Sequence, residues 1–288
     1  MEHLQCFRSC GEVITSRQNP FVKTVCALSE KKQREKYGLF RFDGCKLLEE
    51  ALKTNVPITA IAVRESSLSR IDAWLWERLG DCDLSANFDV RILADGVFEK
   101  ISEEKSPDGV ICVAKALDKF HKITTINNIP EILRETNGAG KALFLCEVRD
   151  PGNVGTILRT AAAFGIDTVF LSRDCADLYQ PRTLRAAMGA IFRLPTVRIA
   201  GDTASAISAL RAEGRTVYAT ALDDSARPLG SFALKREDVF VIGNEGHGLS
   251  EAVIAACDST VYIPMAPGSE SLNAAMAATV CAWEMRNA

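Results

Sequence analysis

From residue 142 onward, short apolar runs alternate with amphipathic stretches, and this alternation limits the possible folds more than any other feature of the chain. Apolar runs fall at 142–148, 168–171, 196–199, 216–220, 239–242 and 260–263, with helical patterns at 153–164, 181–189, 203–212 and 250–257 and a last helix after residue 271. Strand-length runs that alternate with helices predict a mostly parallel sheet covered on both faces. Ligands of such sheets bind beyond the carboxyl ends of the strands. The strand ends are therefore where chemistry is expected.

The first part of the chain is a smaller α/β pattern. Helices are expected at 46–54, 71–79 and 95–101, and strands at 58–63, 90–93 and 109–114, with no catalytic constellation among them. This reads as a recognition module. The polar stretch that follows, with Pro130 and one helix at 129–135, reads as a linker. The expected organisation is thus a domain over 1–117, a linker over 118–140 and the parallel-sheet domain over 141–288.

Composition narrows the function classes. A chain of 288 residues has room for about two cores. Its 47% hydrophobic and 25% charged residues are those of a soluble globular protein. No run at the start suits a signal peptide and none reaches the roughly 18 apolar residues of a membrane span, so a cytoplasmic protein without a membrane partner is expected. The ten cysteines are scattered, without a C-x-x-C pair or clustered histidines. That pattern predicts reduced, mostly buried thiols and no metal site. A net charge of −3 argues against a protein coated in nucleic acid but leaves room for a local basic face. Such a face is written into 14–46, where Arg17, Lys23, Lys31, Lys32, Arg34, Lys36, Arg41 and Lys46 outnumber Glu30, Glu35 and Asp43 to give +5. With Tyr37, Phe40 and Phe42 interleaved, the stretch either neutralises phosphates and stacks on unpaired bases or is a solvated helix face.

Three strand ends carry unusual loops. The first, Arg149-Asp150-Pro151-Gly152-Asn153-Val154-Gly155, opens a helix whose buried stripe is Val154, Ile157, Leu158, Ala161 and Ala162. Arg159 lies off that stripe, placed either for a phosphate near a helix N-terminus or for a surface pair with Asp150 or Asp174. The second loop sets Gly243, Gly246 and Gly248 around Glu245 and His247, which allows close backbone approach to a ligand. Its spacing is neither a Walker A loop nor G-x-G-x-x-G. In the third, Pro264, Pro267 and Gly268 end a strand and Ser271 is placed to cap the final helix. Leu272, Met276, Val280 and Trp283 share one stripe of that helix, and Ala274, Ala275, Ala277 and Ala278 permit close packing.

RDPGNVGTILRTAAAFG, VIGNEGHGLS and IPMAPGSESLNAAMAA resemble, in the same order, motifs 1, 2 and 3 of the SpoU (TrmH) RNA ribose 2′-O-methyltransferases. LRAAMGAIFRLP is similar to a further family segment. ITSRQNPFVKTV, GLFRFDGCKLLEEAL and SPDGVICVA resemble the ribosomal-protein-like substrate-binding domain that many members carry. The resemblance implies a trefoil-knotted, SPOUT-type C-terminal domain, S-adenosyl-L-methionine bound in the knot, a homodimer, and methyl transfer to a ribose 2′-hydroxyl without a metal. It implies that Arg159 acts on the hydroxyl or its phosphate, across the dimer interface, as a positioning charge. Asn153 and Glu245 would order loop and substrate, Ser271 and Asn273 would line the transfer site, and Gly243, Ile263, Leu272 and Asn273 would hold the cofactor largely through main chain. Arg17, Lys23, Lys31, Lys32, Arg34, Arg41 and Arg159 become the expected RNA contacts. Structured large-subunit (23S-type) ribosomal RNA is the expected substrate, with a tRNA 2′-O-methyltransferase or a non-catalytic RNA-binding protein on the same fold as alternatives. Ala187, Asp43 and Ala274 depart from the serine, glutamate and valine usual at those positions.

Overall fold

The computed structural model describes residues 4–80, 83–104, 106–118, 121–135, 140–223, 225–268 and 271–288. The chain forms two compact units, the first comprising residues up to Leu117 with Tyr179–Phe192 and the second Asp118–Leu178 with Arg193–Ala288.

In the first unit, α1 (Pro20–Ala27) and α2 (Lys31–Tyr37) precede β1 (Leu39–Asp43), α3 (Cys45–Lys53), β2 (Ile58–Arg64), α4 (Leu68–Leu79), α5 (Leu84–Asn87), β3 (Asp89–Leu93), α6 (Asp95–Ile101) and β4 (Val110–Lys115). The sheet runs β1-β4-β2-β3, with β4 antiparallel to both neighbours and β2 parallel to β3. On one face, Val22, Val25, Leu28, Val97 and Phe98 pack against Ala60, Ala62, Ile111 and Val113. On the other face, Phe40 stacks on Tyr179 at 4.5 Å and Phe42 meets Phe192 at 5.3 Å. The Tyr179 hydroxyl accepts the Leu117 N–H at 2.6 Å, and Arg185 pairs with Glu104 at 2.8 Å. The helix Pro181–Ala187, expected at 181–189 within the parallel-sheet domain, therefore completes the core of the first unit. Two aromatic rings on β1 would otherwise face water, and this segment covers them.

The second unit contains β5 (His121–Thr125), α7 (Ile129–Glu135), β6 (Ala142–Leu145), α8 (Pro151–Ala163) and β7 (Thr168–Leu171). After α9, the helix Pro181–Ala187 just described, come β8 (Thr196–Ala200), α10 (Thr203–Ala212), β9 (Val217–Thr220), β10 (Arg227–Pro228), β11 (Val239–Ile242), α11 (Glu251–Ala256), β12 (Ser259–Tyr262) and α12 (Ala274–Met285). The eight strands run β10-β12-β9-β11-β6-β7-β8-β5, and every pairing is parallel. Each residue of β6, β7 and β11 is buried, as in a sheet covered on both faces. The stretch expected as a linker supplies β5, in register with β8 from His121 opposite Thr196 to Thr125 opposite Ala200. His-Lys-Ile-Thr-Thr has no apolar run, so only its pairing identifies it as an edge strand.

The final helix departs from its expected arrangement in two ways. Asn273, not Ser271, is the cap, accepting the N–H groups of Ala275 at 2.9 Å and Met276 at 3.4 Å. The buried face is Ala274, Ala275, Ala278, Cys281, Ala282 and Met285, whereas Leu272, Met276 and Trp283 are 40%, 49% and 48% exposed. Small side chains bring α12 close to α8, where Thr279 donates to Thr160 at 3.4 Å and Trp283 meets Phe164 edge-on. The large apolar stripe is left facing outward.

Candidate active site

Loops after β9, β11 and β12 meet at the carboxyl ends of those strands. The loop after β11 is a closed ring built by one side chain. The Asn244 N–H donates to the Gly248 carbonyl at 3.1 Å, and the Gly248 N–H returns to the Asn244 carbonyl at 3.0 Å. Asn244 Oδ1 accepts the Gly246 N–H at 2.8 Å, while Nδ2 donates to the main-chain oxygen of Glu147 at 2.8 Å. The ring lies so close to the strand end that a Cβ on Gly243 would sit 2.7 Å from the Gly248 carbonyl carbon and 2.9 Å from its oxygen. Only glycine fits there.

Beside this ring lies a cleft of about 400 Å³, walled by residues 220–222, 243–249, Ile263, Met265, Ser271 and Leu272. That volume suits a small-molecule site, and Ala221, Leu222, Ile263, Met265 and Leu272 supply apolar wall. At its rim a relay joins the segments that follow β6, β11 and β12. Asn153, in the first turn of α8, donates Nδ2 to Glu245 Oε1 at 2.7 Å, and Asn273 Nδ2 donates to Asn153 Oδ1 at 3.1 Å. A carboxylate only accepts, so Glu245 fixes the orientation of the Asn153 amide and leaves its oxygen for Asn273. Asp150 holds the other side of that turn by accepting the Asn153 N–H at 2.9 Å.

Asn153, Glu245 and Asn273 are thus brought together, with Gly243, Ile263, Ser271 and Leu272 in the adjoining cleft wall. Arg159 is not. It lies eight residues beyond the first residue of α8, about 12 Å along the axis at 1.5 Å per residue. It is exposed, with no ion pair among the described residues. The expected nearness to the helix N-terminus does not hold, nor does the alternative pair with Asp150 or Asp174.

The basic stretch is also only partly available. Arg34 is 6% exposed and donates Nη1 to the carbonyls of Leu28 and Ser29 at 2.9 and 2.7 Å, closing the end of α1. Arg41 is 1% exposed and lies 3.7 Å from Asp43 and 3.4 Å from Glu103. Neither guanidinium is presented to a ligand, because each neutralises groups inside the unit. Burial outweighs the pull of Arg41 and pushes the Asp43 carboxyl up to about 6. Arg17 donates to the Gly96 carbonyl and Lys31 pairs with Glu35, both at the surface, and Lys23 and Lys32 are exposed.

Two residues of the site carried no signal strong enough to single them out. Asn244 lies within the glycine loop, and Asn is a residue that builds turns through its own side chain. Glu147 adopts φ +55, which turns its carbonyl toward Asn244, and its N–H donates to Ser172 Oγ at 2.9 Å. Nothing in its type announces a left-handed backbone. Nine cysteines among the described residues are free thiols; burial pushes Cys146 up to about 11 and Cys257 to about 12, so both stay protonated and inert. Among the described residues no metal-ligating cluster forms, and no helix is long and apolar enough to cross a membrane.

A wholly parallel sheet with a cleft at its strand ends, rimmed by an amide–carboxylate relay, is the arrangement in which α/β proteins hold small-molecule ligands. Residues 140–283 match the model of the SpoU rRNA Methylase family, and residues 19–112 match the MRM3-like substrate binding domain. The chain is 33% identical to the Bacillus subtilis (strain 168) 23S rRNA (guanosine(2553)-2'-O)-methyltransferase RlmP, over 95% of this chain and 98% of that one. It is 28% identical to a Streptomyces viridochromogenes 23S rRNA (uridine(2479)-2'-O)-methyltransferase, over 94% and 90%. An AdoMet-bound rRNA methyltransferase from Sinorhizobium meliloti superposes with a TM-score of 0.76 at 28% identity, covering 96% of this chain and 97% of that one. The chain belongs to the SpoU rRNA methylase family.

Proposed function

We propose that this protein transfers the methyl group of S-adenosylmethionine to a ribose 2′-hydroxyl in large-subunit ribosomal RNA, working in the cytoplasm as a homodimer. The observation that carries this reading is the Asn273–Asn153–Glu245 relay at the rim of the cleft, which joins all three family motifs. The cofactor would supply a methyl group already activated on a sulfonium, so the chain's own task is to bind, orient and exclude water. Gly243, Ile263 and Leu272 line the cleft and their main-chain groups are assigned to the cofactor, whose fit there is supported by the cleft's size and its apolar residues. Asn273, in the relay, and Ser271, in the cleft wall, are assigned to the point where methyl donor and hydroxyl would meet. Glu245, oriented by Asn153, keeps acceptor capacity for a ribose hydroxyl proton.

Arg159 acts from a second copy in this proposal. It lies one residue from Thr160, whose hydroxyl meets Thr279 of α12, and α12 carries the outward stripe of Met276 and Trp283. Pairing of two such faces buries that stripe and brings a guanidinium to the partner's cleft. Arginine stays protonated, so its role is to hold the phosphate and the developing charge on the oxygen, not to remove the proton. The trefoil knot implied by the family resemblance is part of the same proposal.

Wild-type protein is expected to transfer labelled methyl from S-adenosylmethionine to one 2′-oxygen of unmodified large-subunit ribosomal RNA, and not to tRNA. Arg159→Ala should reduce kcat roughly 10²–10³-fold while cofactor affinity stays intact. Transfer to tRNA instead would reassign the substrate; no cofactor binding at all would overturn the enzymatic reading.

A further inference from the structure

The basic stretch before β1 contains three aromatic residues, and their burial separates them sharply. Phe40 and Phe42 are fully buried, whereas Tyr37 is 49% exposed. Its hydroxyl has no hydrogen-bond partner among the described residues, and the only ring contact it makes there is with its neighbour's ammonium, Lys36 Nζ lying 5.3 Å from the centroid. The cations sort in the same way. Arg34 and Arg41 are withdrawn into the unit, and Lys31 is paired with Glu35. Lys32 and Lys36, one helical turn apart on α2, are exposed and form no ion pair among the described residues.

α2 is held firmly in place for so short a helix. Arg34 ties it from below to the last carbonyls of α1, and Gly38, at φ +61, closes its end by returning its N–H to the Arg34 carbonyl. The buried direction of α2 is thus fixed by Arg34. Lys32 and Lys36 stand on the opposite side, and Tyr37, the last residue of α2, follows Lys36 where the chain turns away into β1. A half-exposed ring beside two exposed ammonium groups that form no ion pair among the described residues has the make-up of a single-strand nucleic-acid contact, in which bases stack on aromatic faces and lysines neutralise the backbone.

We propose that Tyr37 stacks on an unpaired base of the RNA substrate while Lys32 and Lys36 hold the flanking phosphates. This rests on the assignment of RNA as substrate, and it moves the expected contact of the first unit from Arg34 and Arg41 to the exposed residues of α2. Stacking and phosphate contact respond differently to salt, so they are separable. Binding of transcribed, unmodified 23S ribosomal RNA by the full chain should weaken about 5- to 150-fold in Tyr37→Ala, with the slope of log K against log salt unchanged. Tyr37→Phe should bind as the wild type does. Lys32→Ala with Lys36→Ala should flatten the slope by about 0.7 per lost contact to an unpaired strand.

Thermal melts and S-adenosylmethionine affinity should be unaltered in all three variants, since none of these side chains is buried or lines the cleft. Equal binding by Tyr37→Ala and wild type, with wild-type methyl transfer intact, would overturn the stacking proposal alone. Equal losses in Tyr37→Phe and Tyr37→Ala would also overturn it, pointing to the hydroxyl instead of the ring. Failure of the wild type to bind RNA would remove both this proposal and the substrate assignment beneath it.

Discussion

Gly243→Ala adds one methyl group where the loop after β11 folds back on its own strand. The new carbon would sit 2.7 Å from the Gly248 carbonyl carbon, 2.9 Å from its oxygen and 3.0 Å from the Leu249 nitrogen, all of them main chain. Ordinary carbon–carbon contact begins near 3.5 Å, so the ring must retreat by about 0.8 Å. The two hydrogen bonds closing the ring measure 3.1 and 3.0 Å, and that retreat takes them past useful length. Losing both costs about 1–2 kcal/mol and overpacking about 1–3, against a gain of about 0.4–1 from a stiffer unfolded chain. The net expectation is about 2–4 kcal/mol. If the loop yields locally, this appears as a roughly 30- to 1000-fold loss of S-adenosylmethionine affinity by calorimetric titration with little change in melting temperature. If the loop holds, it appears as a lower melting temperature. A variant with wild-type affinity and wild-type melting would refute the claim that main-chain closeness at Gly243 shapes the cleft.

Three other outcomes follow from specific contacts. Asp43 has its carboxyl raised in the folded state, so its contribution is full below about pH 4 and is lost as pH rises through about 6. Wild-type stability relative to Asp43→Asn should therefore fall by about 2 kcal/mol between pH 4 and 7 in urea titrations; a rise over that range would mean that the Arg41 pair dominates instead. Asn153→Ala and Asn273→Ala should show a coupling of about 1 kcal/mol in kcat/KM when combined, because each loses the 3.1 Å bond between them; strict additivity would deny the relay a role. A fragment ending at Leu117 uncovers the Phe40 and Phe42 rings that Tyr179 and Phe192 shield, at a cost on the order of 4 kcal/mol. It should lack a cooperative melt by circular dichroism, and a sharp two-state transition would show that Tyr179–Phe192 is dispensable.

Alternation of strand and helix patterns from residue 142 fixes a parallel, two-sided sheet, because strands buried on both faces need continuous apolar runs. The three loops at its strand ends were legible as sites for a related reason: glycines and prolines mark where the backbone itself is used. Asn153, Glu245 and Asn273 could be named from their motifs, but that they form one relay is a property of loops brought together from 92 and 120 residues apart. Periodicity states which residues share a face, never which face is covered. For that reason Met276 and Trp283 on α12 lie outward while the alanines lie inward, Arg34 and Arg41 are buried although their sequence neighbours Lys32 and Lys36 are exposed, and Tyr37 alone of three interleaved aromatics meets water. Likewise β5 is a strand only because β8 lies beside it, and Tyr179–Phe192 belongs to the first unit only because Phe40 and Phe42 need cover. The sequence determined most elements of the parallel sheet, the strand-end loops and the family; the tertiary structure decided the edge strand and which surfaces remained for a partner, since pairing and burial depend on neighbours that are remote along the chain.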